Sequence, residues 1–149
     1  MAKTRVSWQA PTRRAATLLA ILSTLLIAWP MAAVAQSAGM TVSKTTAAPT
    51  EAGTTDTFTV VLDTQPSTSV TLSVTNSAPT QLTVSPLYLT FTDTNWGTPQ
   101  TVTLTATNDT VADETNSATV TLAVLDATSD DAFDSVPDAV VNVTVVDDD

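Results

Sequence analysis

The chain has 149 residues, with 15 acidic and 5 basic side chains, a formal net charge of −10, and neither histidine nor cysteine. Without those two residue types, Ser/His/Asp and Cys/His chemistries lack their parts, and no disulfide can staple the fold. So acidic a surface attracts cations and repels phosphate backbones and anionic lipid, which argues against nucleic acid and direct membrane binding.

Residues 1–35 hold Lys3, Arg5, Arg13 and Arg14 and no acid, then the apolar run from Ala15 to Ala28 and the small-residue site Ala33-Val34-Ala35. This is the pattern of a signal peptide cleaved before Gln36. The apolar run is shorter than the ~20 residues of a spanning helix, and Pro30 interrupts any extension. A secreted or cell-surface location follows as an expectation. Beyond the leader, Lys44 is the single basic residue against fifteen acids, a charge of −14. Residues 36–39 read as a short lead-in, and residues 40–149 as a single β-module.

From residue 40 onward apolar and hydroxyl side chains alternate with period two, as in TVTLTAT and ATVTLAV. That spacing buries one face of a strand and wets the other. Seven strands are expected, near 40–45, 56–63, 69–75, 82–91, 100–107, 117–125 and 139–146, the fourth kinked at Pro86 because proline donates nothing to a ladder. Turn clusters separate them: Ala52-Gly53, Gln65-Pro66-Ser67, Asn76 to Pro79, Asn95 to Pro99, and acidic stretches near 109–114 and 126–138. The expected fold is all-β, a seven-stranded antiparallel immunoglobulin-like sandwich.

Three features have a plain reading beside a functional one. The 28 threonines of residues 36–149 suit the solvent face of any strand better than a regular ice-binding array, since no constant repeat spaces them. Trp96 is expected to plug the end of the sandwich beside the Gly97–Pro99 turn, with Tyr88 on a wet face. A sugar-stacking role for the pair is the alternative. Paired carboxylates could hydrolyse glycosides only in a cleft that raises one pKa, so no enzyme is expected.

The acidic loops carry the functional signal. Glu51 precedes the second strand, Asp109, Asp113 and Glu114 follow the fifth, and Asp147, Asp148 and Asp149 end the seventh. Starts of even strands and ends of odd strands share a pole, so oxygen ligands from three loops can converge there on Ca²⁺. The plain reading is that these acids only keep the protein soluble, and both stay open. For the run Ser129 to Asp134 the solubilising reading is favoured.

The succession TEAGTTDTFTVVLDTQP, LTVSPLYLTFTDTNWGTPQTVTLTATNDTVADE and VVNVTVVDDD resembles the Calx-beta class of repeats and similar repeats of large bacterial surface and adhesion proteins, a resemblance that covers essentially all of residues 40–149. The resemblance implies a β-sandwich with calcium ions at one end. Glu51 would match the early glutamate, Asp109, Asp113 and Glu114 the acidic turn, and Asp147–Asp149 the terminal cluster. Asn108 and Thr110 depart from the aspartate run usual in the family, implying fewer ligands and weaker binding. Such repeats normally stand in tandem, so neighbouring repeats or another surface protein are the implied partners. The function expected is a non-catalytic, calcium-binding adhesion or interaction module. A structural spacer and a carbohydrate-binding accessory module are the alternatives.

Overall fold

A computed structural model describes residues 36–110 and 116–149. The leader of residues 1–35 and the acids Asp113 and Glu114 therefore lie outside the described residues. Nine strands follow in chain order: β1 (Met40–Val42), β2 (Thr46–Ala47), β3 (Asp56–Leu62), β4 (Val70–Asn76), β5 (Leu82–Ser85), β6 (Tyr88–Phe91), β7 (Gln100–Ala106), β8 (Asn116–Val124) and β9 (Ala139–Val145). Helix among the described residues is confined to two three-residue 3₁₀ turns, Asp126–Thr128 and Asp131–Phe133. The strands form one sheet in the order β1-β3-β7-β5 and a second in the order β2-β9-β8-β4-β6.

The alternation seen in the sequence becomes burial directly. Phe58, Val60 and Leu62 point inward from β3, Leu72 and Val74 from β4, Val102 and Leu104 from β7, and Val120 and Leu122 from β8, each no more than 2% exposed. Each such side chain contributes roughly 1.5–3 kcal/mol on leaving water. The threonines between them face outward, Thr57 opposite Thr103 and Thr75 opposite Thr121. This is the plain β-face reading of their abundance.

Seven expected strands become nine because two runs change sheets without changing direction. The first shortens to β1, antiparallel to β3, and the chain just past its expected end at residue 45 forms β2, which pairs with β9 at Thr46↔Asn142 and Ala47↔Val143. The fourth divides into β5, paired with β7, and β6, paired with β4, around Pro86 and the exposed Leu87. The β2–β9 pairing is parallel, so the second sheet is mixed within an otherwise antiparallel sandwich of nine strands where seven were expected. The reason is directional. The first and seventh runs travel the same way, and can only lie side by side in parallel.

The sheet edges are short or capped. The Thr90 carbonyl of edge strand β6 accepts from Gln100 Nε2 at 2.7 Å, and the Leu82 carbonyl of edge strand β5 accepts from Asn76 Nδ2 at 3.2 Å. Occupied edge carbonyls leave little template for another chain to pair with.

Candidate metal site at one pole

The start of β3 lies beside the end of β7 and the start of β8 beside the end of β9, by the registers Asp56↔Leu104 and Asn116↔Val145, and the loop before β3 joins the end of β9, which brings the two pairs to one pole. The loop from β2 to β3 closes over it. Thr50 N donates to Thr54 O at 2.9 Å and Gly53 N to Thr50 O at 3.2 Å. Gly53 adopts φ +94°, a left-handed conformation that a side chain would strain. A parallel bridge joins Thr50 to Val146, with Val146 N donating to Pro49 O at 3.1 Å and Glu51 N to Val146 O at 2.9 Å. Glu51 is thereby fixed to the end of β9 and is 4% exposed.

Burial pushes the Glu51 carboxyl above its ordinary pKa of 4.5; the N–H of Asp109 hydrogen-bonds it and opposes that shift, while the charges of Asp109, Asp147 and Asp148 add to it. Four of the seven acids singled out by sequence, Glu51, Asp109, Asp147 and Asp148, therefore share one local field. Asp149 is exposed at the end of the tail. Asp147 Oδ1 is buried without a hydrogen-bond partner among the described residues. Lys44, the only basic residue of this part of the chain, is not among the charges that shift Glu51. It pairs with Asp56, which also accepts from Ala48 N at 2.9 Å and Thr57 N at 2.7 Å. The Lys44 ammonium, followed by these amides, holds the Asp56 carboxyl below its usual range.

The donors at the pole are all hard oxygens. A desolvated carboxylate in a negative field, next to a buried oxygen with no partner, fits an oxygen-seeking divalent cation. Among the described residues, however, no three acids stand close enough together to hold an ion as they are arranged. Ligation would require side chains to turn inward.

Two features escaped the sequence reading. Asn108 donates from Nδ2 to the Glu51 carbonyl at 2.9 Å and to Asp148 Oδ1 at 3.3 Å. In the acidic run between β8 and β9, Asp130 is not a solvated charge. It is 8% exposed, its Oδ2 accepting from Ser67 N at 2.6 Å, Ser67 Oγ at 2.7 Å and Thr68 N at 3.1 Å, and its Oδ1 from Ala132 N at 3.0 Å. The Ala132 amide, then the Ser67 hydroxyl and the Thr68 and Ser67 amides, lower its pKa to about 2. The readable signal was an aspartate two residues before a turn amide, opposite a Gln-Pro-Ser-Thr turn that needed an acceptor.

Trp96 is half-buried and packs against the core, its carbonyl accepting from Leu62 N at 3.1 Å, whereas Tyr88 is 61% exposed. One anchors the sandwich and the other is free on a face.

Fold and pole together define an immunoglobulin-like β-sandwich with an acidic end. Within that class the chain is similar to a Calx CBD1 domain solved in its apo form, with a TM-score of 0.55, 19% identity, and coverage of 76% of this chain and all of that one. It is also similar to WR4, an MSP family member of C. elegans (TM-score 0.53, 11% identity, 72% and 97% covered), and to the E. coli chaperone DraB (TM-score 0.55, 10% identity, 75% and 57% covered). At these identities the likeness is one of fold. Neither a family model nor a curated protein matches the sequence.

Proposed function

We propose that this chain is an exported, non-catalytic, calcium-binding module of the adhesion or surface-interaction kind, with Glu51, Asp109, Asp113, Glu114, Asp147, Asp148 and Asp149 as its oxygen ligands. The observation that carries this reading is Glu51, a carboxylate buried beside three aspartates with no basic residue among the charges that shift it. Evolution of a solubilising surface gives no reason to bury an acid in a negative field, since that costs free energy until a cation compensates it. The Calx-like fold supports the same reading, and none of the similar structures named above is described as an enzyme. Calorimetric titration of residues 36–149 with Ca²⁺ should show saturable binding that disappears when Asp147, Asp148 and Asp149 are replaced by asparagine. Binding unchanged in that variant would remove the tail from the site.

The absence of three poised acids among the described residues favours one competing reading, a spacer module whose acids only solubilise it. No heat of Ca²⁺ binding at millimolar concentration would select that reading. Export rests on the leader, and no described helix is long and apolar enough to cross a membrane. Expression in a bacterial host should yield a chain beginning near Gln36 outside the cytoplasm. Recovery of the intact chain in the membrane fraction would make the leader an anchor.

A further inference from the structure

Asn108 stands where three segments meet. It lies just beyond the end of β7, where Thr107 N donates to Gln81 O at 2.9 Å. Its amide reaches the Glu51 carbonyl in the loop before β3 and the Asp148 carboxylate in the tail after β9. A carboxamide supplies two N–H donors without charge. Here those donors meet two oxygens from separate segments, the role a hard cation plays with full charge.

We infer that Asn108 is a positioning residue that stands in for a cation, tying the Glu51 loop and the tail to the end of β7 so that this pole assembles without metal. An aspartate at this position would offer no donor, would add a carboxylate beside Glu51, Asp109, Asp147 and Asp148, and would leave a cation to tie the end of β7 to the Glu51 loop and the tail, which backbone bonds at Val146 already join to each other. One substitution therefore separates an ion-independent pole from an ion-dependent one.

The test compares Asn108→Asp and Asn108→Ala with the wild-type chain, in chelator and in millimolar Ca²⁺. Asn142→Asp serves as the charge control, because Asn142 is exposed on the outward side of β9. In chelator both Asn108 variants should melt lower by roughly 3–6 °C, the loss of about one net hydrogen-bond contribution in a domain of this size. Asn108→Asp should fall furthest, and amide hydrogen exchange at residues 146–149 should quicken in both variants. Calcium should then restore Asn108→Asp, with a larger shift than in the wild type, while Asn108→Ala gains no more than the wild type and Asn142→Asp behaves like it.

Unchanged melting and tail exchange in chelator would overturn the inference whatever calcium does. A loss in chelator that calcium does not repair in Asn108→Asp would also overturn it, leaving an ordinary hydrogen bond. The calcium arm rests on the metal-site reading, but the two fail separately. Rescue of Asn108→Asp beside a wild type unmoved by Ca²⁺ would sink calcium binding by the natural chain and sustain the role of Asn108.

Discussion

Millimolar Ca²⁺ is expected to raise the melting temperature of residues 36–149, and more than Mg²⁺ does. A ligand that binds only the folded state stabilises it by mass action, by ~2.7 kcal/mol at a hundredfold excess over the dissociation constant. For a domain of this size that is a shift of roughly 10 °C. Replacing Asp147, Asp148 and Asp149 by asparagine should abolish the shift and leave the sheets intact, because the last buried strand residue is Val145, at 1% exposure. Asp131→Asn should leave it unchanged. Equal shifts with both ions would indicate general screening of the acidic surface, and no shift with either would leave the spacer reading.

The same shift should depend on pH in a direction fixed by Glu51. Its folded pKa is raised above 4.5, so without metal its contribution favours the fold below that value and is lost as pH rises through the folded pKa. A bound cation reverses the preference, because it stabilises the carboxylate. The calcium shift should therefore shrink as the solution is acidified through the raised pKa of Glu51. A pH-independent shift would place the ion away from this residue.

Phe133→Ala is expected to cost ~3–5 kcal/mol, as for a fully buried aromatic truncated in a core. Phe133 is 1% exposed although it lies between strands in an acidic run, and its N–H donates to Asp130 O at 2.8 Å. The melting point should fall by roughly 10–20 °C. A fall of only a degree or two would mean that the segment between β8 and β9 packs loosely. Asp130, beside it, should leave its own signature in acid. Its folded pKa of about 2 lies below the ordinary 3.8, so its contribution is present above that ordinary value and fades as pH drops through about 2. In Asp130→Asn the neutral-pH stability should be lower and the decline between those two values shallower. An identical acid profile in the two proteins would contradict the hydrogen-bonded role of the carboxylate.

The legible and illegible parts of this chain divide along a physical line. Alternation such as Phe58-Val60-Leu62 is local, so the strand runs and their buried faces could be read from sequence. The division of the first and fourth runs between sheets depends on partners far along the chain, and only Pro86 hinted at it. Glu51, Asp109, Asp147 and Asp148 still share one end of the sandwich, because a run that crosses to the other sheet keeps its direction and preserves the count of reversals. Asp130 and Phe133 were missed for the opposite reason. Composition there says solvent, and their burial rests on Ser67, Thr68 and the core beneath them, none of them neighbours in sequence.

The parallel contact of β2 with β9 also determines how the module would bear tension. The first run enters at the pole opposite Glu51, and β9 leaves at the Glu51 pole. Force applied along the chain from its two sides draws the first and last strands past each other lengthwise. The bonds from Asn142 N to Thr45 O, Val146 N to Pro49 O and Glu51 N to Val146 O lie across that motion. They are loaded together in shear and do not open one at a time like a zip.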